Sequence, residues 1–156
     1  MKLRTLGEED WATYRRVRLE ALREAPYAFG SWYEREKDRP ERDWRNAVTT
    51  RTRFVAETEG VVVGTASGGD GEKTGVAALT AMWVDPRFRR QGVGGLLVRR
   101  VVDWAQQAGY EEIFLWVVRG NEAAEKLYER NGFRRTGAEQ EVRPGQLEHE
   151  MSKRLR

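Results

Sequence analysis

Apolar residues along this chain recur with two different periods, and each change of period marks a change of element. Trp11, Tyr14, Val17, Ala21 and Leu22 are spaced by threes and fours, which predicts an amphipathic helix over residues 8–24 with Arg15, Arg16, Glu20 and Arg23 in water. A short strand over 2–6 precedes it, and Thr5 and Glu8 have capping-box spacing at the helix start. Ala25-Pro26 ends that helix, and a second follows Pro40 with Trp44, Ala47 and Val48 as its stripe. Residues 53–59 and 61–68 read as strands joined by a tight turn at Glu59-Gly60, and the glycine-rich stretch 68–75 reads as a mobile loop. Next come a strand over 76–84, a helix over 92–108 closed by Gly109, a strand over 112–118, a helix over 121–130 capped by Gly132, and a hairpin of strands 133–142 and 147–153. The mixed order predicts an α/β sheet flanked by helices, in one domain over 1–156.

Composition narrows the classes. A chain of 156 residues with 39% hydrophobic content supports a single core. Without cysteine there is no disulfide, thiolate metal site or cysteine nucleophile, and the lone His149 has no second histidine, so no metal is expected. The 28 basic and 25 acidic residues leave a net charge of +3 and are interleaved, as in Arg35-Glu36-Lys37-Asp38-Arg39, which speaks against nucleic-acid binding. The polar start Met1-Lys2-Leu3-Arg4 and the lack of any apolar run near the roughly 18 residues of a spanning helix predict a cytoplasmic chain with no membrane partner.

The most informative segment is Val84-Asp85-Pro86-Arg87-Phe88-Arg89-Arg90-Gln91-Gly92-Val93-Gly94-Gly95, between an apolar strand and an amphipathic helix. Glycines let a ligand approach the backbone, the first helical turn offers unpaired N–H groups, and the positive end of the helix dipole favours an anion. Arginine supplies planar donor forks suited to phosphate. The dinucleotide fingerprint would need glycine or alanine where Leu97 stands, and no segment matches the nucleoside triphosphate loop. The spacing Arg89-x-x-Gly92-x-Gly94 instead resembles the pyrophosphate signature of the GCN5-related N-acetyltransferase (GNAT) family. A second run, Asn121-x-x-Ala124-x-x-Leu127-Tyr128-x-x-x-Gly132-Phe133, resembles that family's second cofactor-contacting segment.

The resemblance implies a splayed, mostly antiparallel sheet in which strands 76–84 and 112–118 run parallel and diverge around the pantetheine arm of acetyl-CoA. It implies that Met82, Trp83 and Val84 bond that arm through their backbone, with the Val84 N–H polarising the thioester carbonyl. Arg89, Arg90, Gln91, Gly92, Val93, Gly94 and Gly95 would cradle the pyrophosphate, Asn121 would cap its helix and bond the arm, and Tyr128 would protonate the departing thiolate. The implied activity is acetyl transfer to a primary amine of a small molecule or peptide, by direct attack through a tetrahedral intermediate. An inactive acetyl-CoA-binding regulatory domain is the alternative, and retention of Tyr128 argues against it. An ammonium is only about a thousandth neutral at pH 7, so a base is needed. Glu57 and Glu34 are the carboxylates considered, with a water relay as the default. Some members that acetylate protein N-termini carry Glu at the position of Trp116, whose presence here weakens that substrate. The aromatic run 26–33 is expected to wall the acceptor pocket, with Glu34 and Glu36 favouring a cationic amine. The terminal hairpin is a possible homodimer contact.

Overall fold

The computed structural model describes residues 1–156. Seven strands, β1 (Lys2–Thr5), β2 (Thr52–Thr58), β3 (Val61–Asp70), β4 (Val76–Val84), β5 (Glu112–Val118), β6 (Arg134–Arg143) and β7 (Gln146–Arg154), form one sheet in the order β1-β2-β3-β4-β5-β7-β6. Only β4 and β5 pair in parallel, and they do so only at Val76↔Glu112, Ala77↔Ile113 and Ala78↔Phe114. Beyond those pairs the two strands separate and the sheet opens.

Helices cover both faces. On one face α4 (Val93–Gln107) inserts Val93, Leu97, Val98, Val101, Val102 and Ala105 into a core shared with Phe54, Val63, Leu79, Ile113 and Leu115, joined by Tyr128 of α5 (Glu122–Arg130). On the other face α1 (Trp11–Glu24), the short α2 (Tyr33–Glu36) and α3 (Glu41–Thr50) lie over a second core built from Tyr14, Val17, Leu22, Trp44, Val48, Val55 and Trp83. Each fully buried Leu or Val of these stripes contributes about 1.5–3 kcal/mol relative to exposure.

Two local expectations are corrected. The predicted Thr5–Glu8 capping box does not form, because Thr5 is still paired with Phe54 in the sheet. The chain instead turns at Gly7, whose N–H donates to Asp10 Oδ2 at 2.8 Å, and a 3-10 turn over Glu8–Asp10 leads into α1. The stretch 68–75 is not a loop throughout: β3 continues to Asp70, and Gly68 and Gly69 are buried. A Cβ on Gly68 would lie 2.6 Å from the Trp104 ring, so that glycine makes room for α4 to pack on the strand.

Candidate functional site

Where β4 leaves β5, it also bulges. Thr65 pairs with Trp83 and Ser67 with Thr80, so Ala66 faces two residues, Ala81 and Met82, and Ala81 takes a left-handed φ of 56°. The Asp85 N–H donates to Val63 O at 2.9 Å, and the alternation of a strand then turns the N–H and C=O of Val84 away from β3, toward the opening. The Val84 carbonyl is taken by Arg89 Nε at 2.9 Å. Its amide faces the gap.

That gap is a cleft of about 530 Å³ running between the two cores. Met82, Val84, Phe88, Leu115, Val117, Ala124, Leu127 and Tyr128 line it from the α4–α5 side, and Ala25, Ala28, Phe29 and Trp83 from the α1 side. Of the sequence-predicted residues, Met82, Trp83, Val84, Arg89, Arg90, Gly92, Gly94, Gly95, Asn121 and Tyr128 all line this one space.

The glycine-rich junction forms its mouth. Gly92 caps α4 at φ 83°, and the first helical bond runs from the Leu96 N–H to Gly92 O at 3.1 Å. The amides of Val93, Gly94 and Gly95 therefore have no partner within the helix. They form a donor set for an anion, reinforced by the helix dipole. Arg90 has a left-handed φ of 64°, a strain that persists where surrounding structure enforces it, whereas glycine adopts the positive φ at 92 without such strain. The arginines play unequal parts. Arg87 grips the buried Asp85 at 3.1 and 2.8 Å and holds its carboxyl below the usual carboxylate range, so it stiffens the loop. Arg89 is held by Val84 O and by Glu24 Oε1 at 2.6 Å. Arg90 is exposed.

The side chains of the other assigned residues are placed unevenly. The Val93 side chain is 1% exposed and belongs to the core, so only its amide is available, and Gln91 is exposed with its amide nitrogen 3.4 Å from Arg87 O. The Trp83 side chain crosses to the α1 face, where its indole N–H donates to Glu24 Oε1 at 2.9 Å. Neither proposed base is brought to the cleft. Glu57 sits toward the β1 edge, 2.9 Å from Arg4, and Glu34 is exposed and paired with Lys37 at 2.7 Å. Glu36 is not a cleft residue either: it is 3% exposed, with both carboxylate oxygens on Arg18 at 3.1 and 3.0 Å.

Tyr128 sits on α5, its ring edge-on to Phe133, 6% exposed, and burial pushes its phenol well above the usual tyrosine value. Asn121 caps α5 by accepting from the Ala124 N–H at 3.3 Å. The hydroxyl of Thr80, at the bulge, is buried without a protein partner. Thr80, Glu24 and the bulge at Ala81 carry no local signal in the chain. The bulge lacks a glycine, and the Glu24 contacts join residues 59 and 65 positions apart.

A mixed sheet splayed at its one parallel pair, with a bare helix N-terminus at the mouth of the opening, defines an acetyltransferase-like architecture. The chain belongs to the GNAT acetyltransferase family, whose sequence model matches residues 14–133. Among similar proteins, N-acetylaspartate synthetase of Xenopus tropicalis is 36% identical over 103 residues, 65% of this chain and 38% of that protein. The chain thus spans well under half of that relative. In fold it resembles ribosomal-protein-alanine N-acetyltransferase from Brucella melitensis, with a TM-score of 0.82, 20% identity and coverage of 99% and 100% of the two chains. It likewise resembles yncA from Salmonella typhimurium, solved with its cofactor acetyl-CoA, with a TM-score of 0.79, 23% identity and coverage of 100% and 94%. No helix of the chain is long and apolar enough to cross a membrane.

Proposed function

We infer that the protein is an acetyl-CoA-dependent N-acetyltransferase acting on a primary amine. The observation that carries this reading is the convergence, on one cleft, of three unpartnered helix amides, the gap-facing Val84 N–H and the buried Tyr128 phenol. The residues fit the cofactor. Val93, Gly94 and Gly95 offer N–H donors to a pyrophosphate, the diverging edges of β4 and β5 leave backbone groups for the pantetheine amides, and the orphaned Thr80 hydroxyl lies along the same wall.

When bound, acetyl-CoA supplies the activated acetyl group. The net transfer forms an N–C bond, breaks the C–S bond and moves one proton from nitrogen to sulfur. The Val84 amide is the fixed donor for the carbonyl oxygen, a contribution on the order of 3 kcal/mol in comparable oxyanion sites. Tyr128 keeps its proton because burial disfavours the phenolate, and the same burial would make a thiolate leaving beside it a stronger base, which suits the phenol to the role of general acid for the sulfur. No carboxylate lines the cleft, which supports water as the acceptor of the amine proton.

The test is thiol release from acetyl-CoA in the presence of amines, with cofactor binding followed by calorimetry. Binding together with amine-dependent thiol release is expected. Binding without release on any amine would leave a cofactor-binding regulatory domain, and no binding would remove the cofactor assignment.

A further inference from the structure

The two halves of the cleft differ in charge. Its charged lining residues are Arg89, Arg90 and Arg130, which belong to the phosphate loop and to α5. The α1-side half is formed by Ala25, Tyr27, Ala28, Phe29 and Trp83, joined by Trp116, whose place in β5 turns it opposite to the core residues Leu115 and Val117. None of these six carries a formal charge. The nearby carboxylates are already engaged: Glu24 by Trp83 and Arg89, Glu34 by Lys37, Glu36 by Arg18 and Arg39, and on β7 Glu148, beside Val118, by Gln140 and Glu150, beside Trp116, by Thr136.

This half has an apolar, aromatic wall, and no carboxylate lines it. A second ammonium entering it would shed water with only the faces of the aromatic rings, and no lining carboxylate, to offset the lost hydration. An apolar body would be favoured by the same surface. The surroundings also help the chemistry, since low polarity disfavours the charged form of an amine and so raises its nucleophilic fraction.

The wall is held from outside. The Arg143 guanidinium, at the tip of the β6–β7 hairpin, donates to the carbonyls of Pro26 at 3.0 Å, Phe29 and Ser31, while Gln146 Nε2 donates to Tyr27 O at 3.3 Å. These bonds take up the backbone carbonyls of residues 26–31 from residues that do not themselves line the cleft, while Tyr27 and Phe29 line it.

Resting on the acetyltransferase reading, we propose that the acceptor is a monoamine carried on an apolar body of aromatic size, and that Arg143 is the positioning residue that holds its binding wall. The expectation of a cationic acceptor, drawn from Glu34 and Glu36, loses its basis because neither carboxylate faces the cleft.

The experiment measures acetyl-CoA binding by calorimetry and thiol release with phenethylamine and tryptamine against spermidine, putrescine and kanamycin. At least a tenfold higher kcat/KM for the aromatic monoamines is expected. Tyr27→Ala, at a half-exposed position, should raise KM for phenethylamine severalfold. Arg143→Ala should raise that KM while leaving kcat and acetyl-CoA affinity within twofold, and Arg143→Lys should recover part of the loss. Faster turnover of the polyamines or kanamycin would overturn the acceptor class and leave the acetyltransferase reading standing. Binding of acetyl-CoA without thiol release on either aromatic monoamine would overturn the acceptor class, and no binding at all would overturn both. An unchanged KM in Arg143→Ala would overturn the positioning role.

Discussion

At the scale of single residues, Tyr128 illustrates how burial sets chemistry. Desolvation raises its phenol above the ordinary value near 10. The phenol therefore remains protonated throughout the range in which an acceptor amine loses its own proton. The expected pH profile of kcat/KM rises as the amine becomes neutral and shows no falling limb from this group below about pH 10. Tyr128→Phe should lower kcat by about 10²-fold when chemistry limits the rate, with acetyl-CoA affinity nearly unchanged. An unaltered kcat would remove the proton-donor role. Glu36 gives the complementary case. Burial is the largest single effect and works against its charge, but the hydrogen bonds and charges around it, Arg18 foremost, together outweigh burial and hold the carboxyl below the usual range. Because the folded state binds the proton less readily than the unfolded chain, this pair stabilises the fold above about pH 4.3 and loses its effect as pH falls through the lower folded value. Glu36→Gln should cost about 2 kcal/mol in urea unfolding at pH 7, and the difference from the parent should shrink in acid. A difference that stayed constant down to pH 2 would contradict the linkage.

At the scale of elements, the start of α4 separates helix stability from ligand binding. An Asp in the first turn complements the helix dipole by about 0.3–1 kcal/mol, and replacing glycine inside a helix is itself favourable by a similar amount. A Cβ on Gly95 would meet only the mobile end of Arg99, at 3.2 Å. Gly95→Asp should therefore leave the thermal midpoint equal or higher while weakening acetyl-CoA at least tenfold, because it places a negative charge among the amides proposed to bind pyrophosphate. Equal affinity would relocate the anion site. The same junction was legible in the sequence, since glycine spacing and a helix start are local signals. So were the amphipathic stripes of α1, α3 and α4 and the cap at Asn121. What escaped is what depends on distant partners. The register at Thr5 is set by pairing with Phe54, the glycines at 68 and 69 answer to Trp104 and Arg51, and the clasp of Arg143 on residues 26–31 spans more than 110 positions. The bases chosen from sequence, Glu57 and Glu34, missed the cleft for the same reason. A carboxylate's residue type says nothing about which side of a sheet, or which arginine or lysine, it will meet.

For the molecule as a whole, the opening between β4 and β5 leaves an incomplete sheet at its centre. Three parallel pairs join the two strands, and beyond them the facing edges do not pair with each other, the Val84 carbonyl being held by Arg89 instead. A molecule lying in the gap therefore completes the sheet as well as occupying a site. A ligand that binds only the folded state stabilises it by mass action, about 2.7 kcal/mol at a hundredfold excess over Kd. For a chain of 156 residues that corresponds to a rise in the thermal midpoint of about 5–10 °C. Acetyl-CoA and free coenzyme A should both give it. ADP at the same concentration should give only a small part, because it can reach the amides of Val93, Gly94 and Gly95 but carries no arm to lie between β4 and β5. If ADP matched coenzyme A, the helix N-terminus alone would account for binding and the splayed strands would have no share in it.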